Sequence, residues 1–124
     1  MKRVLLQIYT KNRAEAFEFY KNAFYAEYGY CEKDEHGNII HAELNVYGQY
    51  IAVGELINDL KETIIGNSMQ FCLHFDKGEE HIIKHAYEVM QAEGKVLEPL
   101  GSCFFSSYMT DIIDKYGVRW CLFV

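Results

Sequence analysis

Proline is almost missing. Pro99 stands alone among 124 residues, and no Pro-, Gly- or Ser-rich stretch interrupts the chain. No inter-domain linker is therefore expected, and the length suits one domain with its own core. Long apolar runs are missing too. None nears the roughly 18 residues of a membrane span, so no membrane partner is expected. Basic residues are outnumbered: 12 Lys and Arg face 18 Asp and Glu, a formal net charge of −6. Nucleic acid demands basic patches against its phosphates, so it is not an expected partner either. A cationic small molecule stays open, although net charge bears on solubility more than on ligand. The four cysteines, at 31, 72, 103 and 121, never fall in Cys-x-x-Cys spacing, and no His-rich tract accompanies them. That excludes zinc-ribbon and thioredoxin-type motifs. Met1-Lys2-Arg3-Val4-Leu5-Leu6-Gln7 places basic residues before apolar ones, but the run stops at Gln7, short of a secretory h-region. The expectation is a cytoplasmic chain with free thiols. Half of the residues are hydrophobic and 15% aromatic, which argues against disorder.

Period-two alternation predicts a strand over Val4 to Tyr9. Asn12, three residues before Glu15, is a capping pair that opens a helix. Ala16, Phe17, Tyr20, Ala23 and Phe24 form its apolar stripe, which reads as core. Tyr28 to Lys33 reads as a strand ending in the turn Asp34-Glu35-His36-Gly37-Asn38. Ile40, Ala42, Leu44 and Val46 alternate with His41, Glu43 and Asn45, and Gln49 to Gly54 follows as another strand. A hairpin turning at Tyr47-Gly48 would set Val46 against Gln49, Asn45 against Tyr50, Leu44 against Ile51, Glu43 against Ala52 and His41 against Gly54.

The second half repeats this plan. Ser68 to Asp76 reads as a strand, and Gly78 to Glu93 as a helix with Ile82, Ile83, Ala86, Tyr87 and Met90 inward and Gly94 as its stop. Lys95 to Glu98, Phe104 to Ile113 and Val118 to Val124 complete it. Tyr47-Gly48 and Tyr116-Gly117 each introduce a half's last strand, while Gln7 and Gln70 stand at matching places in each half's first. Their shared order points to duplication. The modules run from about 1–57 and 66–124.

Four runs carry a family likeness. Glu15-Ala16-Phe17-Glu18-Phe19-Tyr20-Lys21-Asn22-Ala23-Phe24, His41-Ala42-Glu43-Leu44, Gly94-Lys95-Val96-Leu97-Glu98-Pro99-Leu100 and Asp114-Lys115-Tyr116-Gly117-Val118-Arg119-Trp120 occur in order along nearly the whole chain. Together they resemble the PhnB-like branch of the vicinal oxygen chelate (glyoxalase/bleomycin resistance/dioxygenase) superfamily. Tyr25 stands where that branch usually has Gly, and Lys115 where it has Pro. The resemblance implies an α+β fold, with two βαβββ modules forming a strongly curved mixed sheet. Helices would lie on the convex side, the ligand in a concave cleft, and the protein would be a homodimer.

The resemblance also implies where a metal would sit. Metal-dependent relatives draw four ligands from the first and last strands of each module, and those positions fall here on Gln7, Ala52, Gln70 and Cys121. Two amides, a methyl and a thiol make a poor divalent site, so no metal and no cofactor are expected. Glu55 should point to the other face unless a bulge intervenes. The expected ligand-binding residues are Gln7, Tyr9, His41, Glu43, Tyr50, Gln70, His74, Arg119 and Cys121. No catalytic residue is assigned.

Each residue has a bland reading beside the functional one. His41 and Glu43 read either as a solvated sheet face or as a His/carboxylate cluster that orients a ligand or moves a proton. His74 is a hydrogen-bonded interior histidine or a ligand contact. Arg119 could clamp an anionic group or pair with Glu43. Cys72 and Cys121 read as packing residues, since a nucleophilic thiolate wants a cationic neighbour and Arg119 stands too near in the strand to face Cys121. His81 and His85 read as a solvated helix face.

Two functions follow. One is a metal-independent protein that sequesters or carries a small aromatic or cationic molecule. The alternative is a metal-dependent isomerase, lyase or dioxygenase with a site rebuilt from His41, Glu43 and His74.

Overall fold

The computed structural model describes residues 1–55 and 64–124. The chain divides into two compact units, Met1–Ile64 and Ile65–Val124. The first runs β1 (Leu6–Tyr9), α1 (Arg13–Phe24), β2 (Glu27–Lys33), β3 (Ile39–Val46) and β4 (Gln49–Gly54). The second runs β5 (Phe71–His74), α2 (Glu80–Gln91), β6 (Lys95–Gly101), β7 (Met109–Ile113) and β8 (Arg119–Phe123). Each builds a four-stranded mixed sheet, ordered β1-β4-β3-β2 and β5-β8-β7-β6. The first strand of each unit pairs in parallel with the last, and the other pairings are antiparallel. The fold class is α+β, in two βαβββ modules.

Local chemistry accounts for the elements. The Asn12 carbonyl accepts the Ala16 N–H at 3.0 Å, and its side chain accepts from Glu15 N at 3.4 Å, so Asn12 caps α1 as expected. Ala16, Phe17, Tyr20, Ala23 and Phe24 are all buried, and α1 packs on β3 and β4. Each large apolar side chain buried there contributes about 1.5–3 kcal/mol. The helix closes in a Schellman turn: Ala26 N donates to Lys21 O, while Tyr25 takes the left-handed position at φ 50°.

The β3–β4 hairpin has the register that alternation predicts, with Glu43 opposite Ala52 and His41 opposite Gly54. Tyr47 and Gly48 both have positive φ, 52° and 87°, as a two-residue primed turn requires. In the second unit Ile82, Ile83, Ala86 and Met90 are buried on α2. Trp120 is fully buried, stacks edge-on with Phe71 and donates from Nε1 to Asp114 Oδ2 at 2.8 Å.

Two strands of the second unit start well after their expected positions. β5 begins at Phe71 rather than Ser68. β7 begins at Met109 rather than Phe104. The buried Ser106 hydroxyl bonds the carbonyls of Tyr108 and Val124 at 2.9 and 2.8 Å, which pins residues 103–108 as a loop and turns Phe104 outward. Gly94 acts by proximity rather than by stopping a helix. A Cβ there would collide with the carbonyl oxygens of Met90 and Ile113. Among the described residues no helix is long and apolar enough to cross a membrane.

Candidate functional site

Strand alternation leaves each sheet with one face toward its helix and one face away. In the first unit Leu6, Ile51 and Leu44 share a row, as do Ile8, Val53 and Ala42, on the helix side. The opposite face carries the row Gln7–Ala52–Glu43 and the row Tyr9–Gly54–His41. Glu55 follows Gly54 on the helix side, where it meets Arg13 of α1 at 3.5 Å. No bulge interrupts β4, so Glu55 does not turn toward the other face.

Glu43 is the electrostatic centre of that face. Its side chain is 4% exposed. Arg3 grips it with two hydrogen bonds, Nη1 to Oε2 at 2.7 Å and Nη2 to Oε1 at 2.8 Å. His41 Nε2 lies 3.1 Å from Oε1. Burial alone pushes the carboxyl up, but the bonds and charges of Arg3 and His41 outweigh it, and the group is held below the usual carboxylate range. The Arg3 guanidinium also lies over the Tyr50 ring, 4.9 Å from its centroid. Gln7 turns its amide onto Ile8 O at 3.2 Å, in space left by Gly54, where a Cβ would come within 2.9 Å of Gln7 Nε2.

The second unit repeats the plan with different residues. Its away-facing row is Cys72–Cys121–Asp111. Asp111 therefore stands where Glu43 stands in the first unit. It too is buried and held by a fork: Arg119 Nε and Nη2 bond it at 3.0 and 2.6 Å. The Asp111 hydrogen bonds and charge raise the Arg119 pKa. Arg119 thus pairs with Asp111, its diagonal neighbour across the strands, and the partners of Glu43 are Arg3 and His41.

The register also revises the internal match. Gln7 pairs with Ala52 while Cys72 pairs with Cys121, so Cys72 is the counterpart of Gln7 and Gln70 lies two residues earlier. A two-residue offset keeps the face, which is why alternation alone could not detect it. Gln70 Oε1 accepts from Cys72 Sγ at 3.7 Å. Its Nε2 is buried with no hydrogen-bond partner among the described residues. Burial first, then Cys72, pushes the Cys121 thiol up to about 11. Arg119 and Cys121 share a face, as alternate residues of one strand do, and the nearby thiols add to the rise of the Arg119 pKa. Beyond this row, His74 stacks on Phe123 at 4.5 Å, and Phe105 meets Phe123 edge-on at 5.4 Å.

The predicted site residues thus fall into two groups: Gln7, Tyr9, His41, Glu43 and Tyr50 in the first unit, and Gln70, His74, Arg119 and Cys121 in the second. Sequence reasoning missed Arg3, Asp111, Phe105 and Phe123. Asp111 was accessible, as it alternates with the buried Thr110 and Ile112. Arg3 carries no periodic signal.

These donors suit a divalent cation badly. Ala52 offers none, the Gln7 amide is turned onto the backbone, and the Cys121 thiol stays protonated at neutral pH. The carboxylates Glu43 and Asp111 each have a guanidinium in place. Among the described residues no group of three or more His, Cys, Asp or Glu could hold a metal ion. His81 is exposed on α2, and His85 lies one turn on.

No family model and no curated protein matches the chain. Solved structures do. A PhnB protein from Bacillus cereus, 26% identical, aligns over 99% of this chain and 98% of its own with a TM-score of 0.73. A glyoxalase/bleomycin resistance protein/dioxygenase family enzyme from Burkholderia phytofirmans, 13% identical, covers 95% of this chain and 94% of its own at a TM-score of 0.68. A variant of the fosfomycin resistance protein FosX from Listeria monocytogenes, bound to Mn(II) and a dihydroxypropylphosphonic acid, is 15% identical. It covers 99% of this chain and 87% of its own, with a TM-score of 0.59.

Proposed function

Because the chain shares its fold with PhnB and glyoxalase/bleomycin resistance-type structures, we propose that it is a vicinal oxygen chelate protein that binds a small molecule on the helix-free faces of its sheets. It does so without the metal of its metal-dependent relatives. The observation that carries this reading is the Gln70 amide. A buried N–H donor with no acceptor costs about 1–3 kcal/mol, and Gln70 Nε2 has none among the described residues. A ligand acceptor beside it removes that cost. Farther along the same strand, beyond Cys72, the His74 ring stacks on Phe123, which Phe105 meets edge-on, and these rings offer stacking surface. A flat aromatic ligand with an acceptor atom at its rim suits this combination. In the first unit the neutralised Arg3–Glu43 pair and His41 offer a polar edge without net negative charge.

No divalent ion takes part in this reading, because the donor set gives it no anionic ligand that is not already paired. The reading includes a homodimer in a reducing, cytoplasmic setting, where thiols stay free.

The test is a thermal-shift screen of small aromatic and cationic compounds on chelator-treated protein, followed by calorimetry on the hits. A ligand at about a hundred times its Kd adds roughly 2.7 kcal/mol. Gln70→Ala should weaken binding about tenfold while leaving stability unchanged or higher, since it deletes an orphan donor. Binding that appears only with stoichiometric divalent metal, or turnover of the ligand, would overturn the proposal.

A further inference from the structure

We infer that Cys72 and Cys121 are a reversible thiol–disulfide pair, in which Cys72 meets a hydroperoxide and Cys121 resolves it. The two residues are direct partners on the parallel strands β5 and β8, with their side chains on one face. Neighbouring strands lie about 4.7–4.9 Å apart, inside the Cα separations of about 4.4–6.8 Å that disulfides span. Their roles follow from their surroundings. Cys72 is exposed, so a peroxide reaches it. Cys121 is 7% exposed, stands opposite Cys72 across the strands and is held protonated, so it does not react first. The other thiols are placed differently: Cys31 lies on β2 in the other unit, and Cys103 in the loop before β7.

The chemistry balances. The Cys72 sulfur attacks the hydroperoxide, an S–O bond forms, the O–O bond breaks, and an alcohol or water leaves. The Cys121 sulfur then attacks the sulfenic sulfur. The S–S bond forms, the S–O bond breaks, and the departing hydroxide takes the Cys121 proton as water. Two thiols are oxidised by two electrons and the peroxide is reduced. A small-molecule thiol reverses the bridge by exchange. Closure would tie β5 to β8 beside Gln70, so oxidation would report on the same face that carries the orphan amide. The inference does not depend on a ligand binding there.

Treating the purified protein with hydrogen peroxide and mapping non-reduced peptides decides the matter. The expected result is a fall from four free thiols to two, a monomer lighter by two hydrogens, and one linked peptide pair containing Cys72 and Cys121. Cys121→Ala should lose a single thiol and yield a Cys72 sulfenic acid that dimedone traps. Cys31→Ser/Cys103→Ser should still form the bridge, which keeps the test decisive if the buried variant fails to fold. A bridge through Cys103, a covalent dimer, or sulfinic acid at Cys72 of the unsubstituted protein would overturn the inference.

Discussion

Replacing Glu43 by Gln tests whether the first unit's polar face is an organised ionic cluster or a coincidence of neighbours. The substitution keeps shape and burial but removes charge and turns an N–H₂ toward a donor. Two bonds from Arg3 at 2.7 and 2.8 Å and one from His41 at 3.1 Å are affected. Hydrogen bonds to charged groups contribute about 1.5–3 kcal/mol. The about 3–5 kcal/mol seen when fully buried pairs are broken does not apply. Arg3 is 45% exposed and recovers water when its partner is lost. We expect a loss of about 1.5–2.5 kcal/mol at pH 7, or about 5–10 °C in melting temperature for a chain of this size. The pH dependence follows from the direction of the shift. The folded carboxyl titrates below its ordinary 4.5, so its contribution is complete above that value and fades as pH falls through the folded pKa. The stability gap between Glu43→Gln and the unsubstituted protein, measured by urea titration, should therefore narrow below about pH 4.5. A gap under about 0.5 kcal/mol at pH 7, the size of an ordinary surface change, would refute the reasoning. So would a gap that stays constant on acidification.

Two backbone predictions follow. Tyr25 holds the left-handed position of the α1 Schellman turn at φ 50°. Tyr25→Gly relieves a cost of about 1–2 kcal/mol, partly offset by the entropy of glycine in the unfolded chain, so denaturation should show a net gain of about 0.5–1 kcal/mol. Gly94→Ala sets a methyl against the carbonyl oxygens of Met90 and Ile113. Both belong to packed elements, so a loss of about 1–3 kcal/mol should appear in the same titration, and an unchanged midpoint would show that α2 and β7 yield freely.

What could be read from the residues divides along a physical line. The β3–β4 register was legible pair by pair because two constraints coincide there. Alternation fixes which face each side chain takes, and the Tyr47-Gly48 turn fixes which residue starts the ladder. β5 and β8 lie side by side but come from distant parts of the chain, so no turn sets their relative register. Alternation is blind to a shift of two, and Gln70 passed for the counterpart of Gln7 where the sheet places Cys72. The same distinction governs the charges. Asp111 and Arg119 are eight residues apart on adjacent strands, so a hairpin drawn on paper could have paired them. Arg3 and Glu43 are forty apart, and Arg3 precedes β1, where periodicity assigns no face. Yet the two pairs hold equivalent positions in their sheets. In each module the carboxylate stands beside the first–last strand pair, with a guanidinium closing over it. A module that keeps this carboxylate–guanidinium plan while exchanging Gln7 and Ala52 for Cys72 and Cys121 conserves its neutralised charge rather than a set of metal donors. That pattern is why recognition of an organic ligand, rather than capture of a cation, is the more economical reading of both faces.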